Sequence, residues 1–106
     1  MSGLALVYTV FPDEASARAA ILSAVTDGLA ACANLMPAAT SFYEWDGALQ
    51  ENSEFPVVLK TTAARVDALI ERISAMHPYE TPAILSWPIV RAPAPFVKWV
   101  NQATRH

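Results

Sequence analysis

Within His77-Pro78-Tyr79-Glu80-Thr81-Pro82 the chain gathers an imidazole, a phenol, a carboxylate and a hydroxyl around two prolines. Each proline fixes its own φ and restricts the residue before it, so the loop is stiff. An imidazole and a carboxylate on a stiff loop can ligate a metal ion or relay a proton. His77 reads equally as a cap on the last turn of a preceding helix, where a cation suits the dipole. Glu80 reads equally as a solvated loop carboxylate. The single cysteine, Cys32, lies in Ala30-Ala31-Cys32-Ala33-Asn34. Its thiolate would suit a soft ion such as Cu(I), or the residue is a small buried hydrophobe. A lone cysteine cannot build a structural zinc site, and no Cys or His spacing here matches one. The other histidine, His106, is the last residue, where fraying is expected.

Two further groups could line a site. Tyr43 and Trp45 are two apart and so share one face of a strand; they suit an interface or packing within their own sheet. Glu44, Asp46, Glu51 and Glu54 make the same stretch acidic, either to attract divalent cations or as a solvated arm that resists edge-to-edge aggregation. No nucleophile triad, phosphate loop or dinucleotide fingerprint occurs, so the chain is not read as an enzyme.

The composition bounds the elements that must position these groups. The 106 residues fit one domain spanning 1–106. With 54% hydrophobic and only 16% charged residues, too little polar surface is available to cover so small a body, which points to burial against another subunit. The net charge of −3 and scattered basic residues argue against nucleic acid. No apolar run approaches a transmembrane length. Leu4 to Phe11 lacks the preceding basic residues of a signal peptide, and the unpaired Cys32 suits a reducing compartment; a cytoplasmic protein is expected.

Leu4–Phe11, apolar on both faces, predicts a central strand. Asp13 is a candidate N-cap for a helix whose apolar face is Ala17, Ala20, Ile21, Ala24 and Val25, ended by Gly28. Leu29–Met36 predicts a second strand, continued after a bend by Ser41–Trp45, and Asp46-Gly47 signals a hairpin. The return arm runs from Ala48 to Lys60, with Pro56 expected at a strand start or bulge. A second helix is expected from Thr62 to Met76, with the stripe Val66, Leu69, Ile70, Ile73 and Met76. Ala83–Val90 reads as an edge strand because it contains Pro88, and Pro95–Ala103 as a short last helix. This β-α-β-β-α-β order with an extra C-terminal helix predicts an α+β, ferredoxin-like sandwich with an antiparallel sheet in the order 4-1-3-2. Both helices then lie on one sheet face. The other face, with no helix to cover it, calls for a second copy of the chain.

Several segments together resemble the CutA family, the divalent-cation tolerance proteins: Leu29-Ala30-Ala31-Cys32-Ala33-Asn34, Ser41 to Gly47, Glu51 with Glu54, Leu59-Lys60-Thr61, and His77 to Pro82. They occur in the right order over nearly the whole chain. The resemblance implies a compact homotrimer like the PII signalling proteins, joined through extended strands. It implies binding of Cu2+ or another divalent cation, with no organic cofactor and a role in metal tolerance. Cys32 and His77 match family positions discussed as metal ligands, and Glu80 a position that is Glu or Gln. The first strand holds Tyr8 and Thr9 where some relatives carry a further cysteine, and Trp87 stands where they usually carry an aliphatic residue. The expected ligands are therefore His77, Glu80 and Cys32, with Tyr43, Trp45, Tyr79 and Lys60 in a cleft between subunits. The alternative is a PII-like signalling or scaffolding trimer whose clefts take a small organic anion or a partner protein.

Overall fold

The structure, a computed structural model, describes residues 2–104; His106 lies outside them. Its elements are β1 (Leu4–Phe11), α1 (Glu14–Thr26), β2 (Cys32–Leu35), β3 (Ala39–Trp45), β4 (Ala48–Thr62), a 3₁₀ turn (Ala63–Arg65), α2 (Val66–Met76), β5 (Ile84–Ile89) and α3 (Ala94–Ala103). The antiparallel sheet runs β2-β4-β1-β5, with β3 paired to β4 off this path. This is the ferredoxin-like order expected, with the second strand split into β2 and β3.

Local chemistry accounts for most boundaries. The Asp13 carboxylate accepts from the backbone N–H of Ser16 at 2.7 Å and opens α1. The helix ends at Gly28, whose φ of 68° any side chain would resist. Leu29 and Ala30 then both donate to the carbonyl of Ala24. They close the helix and cannot also begin a strand, which is why β2 starts at Cys32 and not at Leu29. Asp46 and Gly47 have φ of 54° and 79°, the two positive values of a type I′ hairpin. The second helix begins later than the sequence pattern suggests: Thr62 at the N-cap makes no side-chain cap hydrogen bond, and the first turn is 3₁₀.

The strand β4 dominates the shape. Its 15 residues, at about 3.3 Å each, build the long axis of a molecule measuring 46 × 25 × 23 Å. Its first half pairs with β3, from Trp45 opposite Ala48 to Ala39 opposite Glu54, and projects as an arm. Its second half lies between β1 and β2. Pro56 sits at the handover, inside a continuous strand and not at the start or bulge expected. Met36 donates to its carbonyl, and β2 has ended at Leu35, so the missing N–H interrupts no rung.

Alternation along β1 splits the sheet into two faces. Val7 and Phe11, with Val57 and Leu59 of β4, pack beneath Ala17, Ala20 and Ala24 of α1 and Leu69 and Ile73 of α2. Val25 and Met76, expected on these helices' apolar faces, are each more than one-third exposed; each stands near the end of its helix. The opposite face carries Leu4, Leu6, Tyr8 and Val10. The sequence reading left that face without a helix, and α3 corrects this at one end, where Val100 buries against Leu4 and Ala31 with Phe96 and Val97 beside it. The rest stays open. Leu85 and Trp87 of β5 are on it, paired with Tyr8 and Leu6, and remain exposed. Among the described residues no helix is long and apolar enough to cross a membrane.

Candidate functional site

Where the arm leaves the sheet, its base faces the His77–Pro82 loop across a cleft of about 850 Å³. Tyr8 and Val10 of β1 form its floor. Ser41, Phe42, Tyr43, Trp45 and Glu54 come from the arm, and Pro78, Tyr79, Glu80 and Thr81 from the loop. The register explains why Glu54 is there. Val10 pairs with Pro56, and Glu54, two residues further along β4, points to the same face as Val10. Of the two readings of the acidic arm, cation-attracting or solvated, the solvated one does not hold for Glu54, which is only 5% exposed.

Glu54 is tied to the loop. The Tyr79 hydroxyl donates to its Oε2 at 2.7 Å. Burial, then this hydrogen bond, then the carboxylate's charge hold the Tyr79 proton more tightly than in an ordinary tyrosine. Glu54 takes part in neither the Arg18–Glu14 nor the Arg72–Asp27 ion pair. Among the described residues, then, the support seen for this buried carboxylate is a phenol and not a cation. Glu80 adds an exposed carboxylate at the same cleft, and no lysine or arginine among the described residues lines it.

His77 lies behind this wall. Its ring stacks on Phe11, with centroids 4.3 Å apart and planes 16° from parallel, and it is 8% exposed. Nδ1 accepts from the backbone N–H of Tyr79 at 3.2 Å. The neutral ring therefore carries its proton on Nε2, which donates to the carbonyl of Val10 at 2.7 Å. That carbonyl is available because the β1–β5 rungs stop at Thr9 opposite Ile84. Both ring nitrogens are thus engaged within the chain, and a metal at either one would displace a bond that holds the loop.

Cys32 and Lys60 stand elsewhere. They face each other across β2 and β4, and Lys60 donates to the Asn34 side chain. Lys60 is six residues along β4 from Glu54, about 20 Å at the usual rise per residue. Cys32 is half-buried, neither sealed in the core nor beside the loop. Of the expected site residues, then, the structure brings Tyr43, Trp45, Tyr79 and Glu80 to one cleft, sets His77 behind it, and leaves Cys32 and Lys60 apart. The described residues contain no group of three or more His, Cys, Asp or Glu side chains that could hold a metal ion. The residues missed were Tyr8 and Val10; Glu54 was named only as one of four acids on the arm, and strand alternation counted back from Val58 would have singled it out on the floor's face.

Comparison with known proteins adds the following. Residues 5–103 match the family model of the CutA1 divalent ion tolerance protein. The divalent-cation tolerance protein CutA of Citrobacter koseri is 38% identical over 100 residues, covering 94% of this chain and 87% of the relative. A crystal structure of divalent ion tolerance protein CutA1 from Ehrlichia chaffeensis superposes with a TM-score of 0.94 at 35% identity, over 100% of this chain and 99% of the other. The periplasmic divalent cation tolerance protein CutA of Archaeoglobus fulgidus gives 0.93 at 27% identity, over 96% and 99%.

Proposed function

The chain belongs to the CutA1 family of divalent ion tolerance proteins, and from that premise we propose that it serves divalent cation tolerance by holding the ion in the cleft between arm and loop. The observation that carries this reading is Glu54, a buried carboxylate with no ion pair seen to it among the described residues, facing the same cleft as Glu80. The two carboxylates supply oxygen donors of the kind that hard divalent ions prefer. Water and a second copy of the chain supply the remaining ligands, since no described cluster reaches three. His77 acts from behind: it fixes the backbone of Tyr79, which fixes Glu54. Cys32, about 20 Å along the sheet, takes no part in binding at this cleft, and copper is held as Cu(II) by oxygen and not as a thiolate-bound Cu(I).

The protein works as a homotrimer in the cytoplasm. Support for assembly is the apolar surface left open on the second face and the arm, where Phe42 and Trp45 are nearly two-thirds exposed and Leu49 more so. Rows of this kind are rarely left in water. Support for a reducing compartment is the free Cys32; the Archaeoglobus relative is described as periplasmic, so fractionation of the native host decides the matter. The family's description as tolerance proteins supports a protein that acts by binding rather than by turnover.

The test is calorimetric titration of the assembled protein with Cu(II), the first-row divalent ion that nitrogen and oxygen sites hold most tightly. Saturable binding that weakens in both Glu54→Gln and Glu80→Gln supports the reading. Binding unchanged in both variants refutes it. Light scattering at micromolar concentration tests assembly, and a monomer would contradict the trimer.

A further inference from the structure

The grip of His77 is asymmetric. Its Nε2 donates to the Val10 carbonyl at 2.7 Å, whereas its Nδ1 accepts from the Tyr79 backbone N–H at 3.2 Å. An imidazole accepts only while it is neutral; the imidazolium is a donor at both nitrogens. A proton taken from solvent therefore leaves the Val10 bond in place and makes it charge-assisted. The Phe11 ring, with its centroid 4.3 Å away, also accommodates a cation on its face. The Tyr79 bond has no such continuity, because a proton on Nδ1 sets two donors head to head.

We propose that His77 is a proton-operated latch: one proton at Nδ1 releases the His77–Pro82 loop from its tie to β4 while the ring stays anchored to β1. Pro78 holds its own φ, so the freedom released falls on the peptide plane between Pro78 and Tyr79. That plane carries the phenol whose hydroxyl donates to Glu54 at 2.7 Å, and Glu54 loses this donor as the plane turns. Every bond in the chain of effects lies within one protomer and does not depend on what covers the arm. The inference does not rest on the cation reading.

The titratable and charged groups around the ring come from several elements. The loop presents the Tyr79 phenol, ring to ring at 5.1 Å, with Glu80 at the cleft. Glu54 of β4 stands behind that phenol. Tyr43 of the arm and Asp13 before α1 lie within electrostatic reach of it. Val10 and Phe11 of β1 carry no charge, nor does the last turn of α2, Ser74 to Met76; Arg72, a turn earlier, is held by Asp27.

The test is an NMR titration of the full chain, free of metal, from about pH 8 to about pH 5, where histidines ordinarily take up protons. The ring nitrogen shifts of His77 report its protonation, and the Tyr79 amide reports the latch. The Tyr79 amide is expected to titrate with the ring at one midpoint. Its protection from hydrogen exchange should fall by about fivefold, the equivalent of about 1 kcal/mol, while the Nε2 proton stays protected. In His77→Asn, whose side-chain oxygen can accept from the N–H two residues on but does not titrate, the Tyr79 amide should lose the transition. In Glu54→Gln it should keep it. A Tyr79 amide that ignores the ring's titration, a ring that takes up no proton before the chain unfolds, or loss of the Nε2 proton's protection together with the amide's overturns the proposal. So does a transition that survives His77→Asn or vanishes in Glu54→Gln. If His77→Asn does not fold, the paired midpoints of the parent decide alone.

Discussion

Replacing His77 separates two roles that a histidine beside a cleft can play. As a solvent-facing ligand it would contribute almost nothing to folding; as a buried pin it contributes a great deal. The Phe11 stack is worth about 1 kcal/mol beyond area. Truncation to alanine also leaves a cavity, for about 2 kcal/mol more. The Val10 carbonyl and the Tyr79 N–H lose their partners, although water entering the cavity recovers part of that. His77→Ala should therefore destabilise by about 3 kcal/mol or somewhat more. His77→Phe keeps the stack and the volume but leaves both backbone groups unpaired, for about 2 kcal/mol. Urea unfolding at one fixed protein concentration, as an oligomer demands, reads the difference. With a slope of about 1.5 kcal/mol per molar, the alanine variant's midpoint falls by about 2 M. A His77→Ala protein within about 0.5 kcal/mol of the parent, with Cu(II) binding abolished, would refute the pin and restore His77 as a ligand.

Thr9 is fully buried with no hydrogen-bond partner for its Oγ1 among the described residues, so Thr9→Val should stabilise by up to about 1 kcal/mol in the same assay; a clear loss would expose a partner, such as a buried water. The raised Tyr79 pKa predicts a pH dependence. Above about pH 10 the unfolded chain's tyrosine ionises while the folded one keeps its proton. Stability from this group is therefore complete below that pH and lost as pH climbs through the alkaline range. Unfolding midpoints of the parent should fall more steeply there than those of Tyr79→Phe, and parallel curves would contradict the assignment. Arg72 reaches Asp27 Oδ2 at 2.6 Å and Ser23 Oγ at 2.8 Å, tying α2 to α1. Because Asp27 is half exposed, Arg72→Ala should lose only about 0.5–1 kcal/mol, and less in high salt; an effect that salt leaves untouched would point to packing instead.

What could be read in advance follows from how local each cause is. Asp13, Gly28 and Asp46-Gly47 act within a few residues of themselves, and the helix start, helix end and hairpin they signal are where expected. The strand order followed from the apolar run of β1 and from Pro88 at the edge, both matched to one connection pattern. The docking of α3 was not legible. Its Phe96, Val97 and Val100 form a good apolar stripe, but periodicity states only that a helix buries a face, not which layer receives it. His77 shows the same limit at the scale of one side chain. Proximity to Tyr79 and Glu80 suggested a ligand cluster, whereas its ring is captured by Phe11 and Val10, more than sixty residues away in the chain. Glu54 differs, because alternation along β4 does put it on the floor's face; what hid its burial was its company, three other acids that remain exposed. Cys32 was weighed as a ligand or a core residue, and its half-buried place opposite Lys60 fits neither extreme.

The central claim is that a divalent cation sits at the carboxylates of the cleft. Crystals grown with Cu(II), with data collected at the copper absorption edge, address it directly. The account predicts an anomalous peak between arm and loop, about 2.0–2.3 Å from a carboxylate oxygen of Glu54 or Glu80, with His77 still stacked on Phe11. A peak at Cys32, a peak at a His77 nitrogen with the loop displaced, or no peak in the cleft would contradict it.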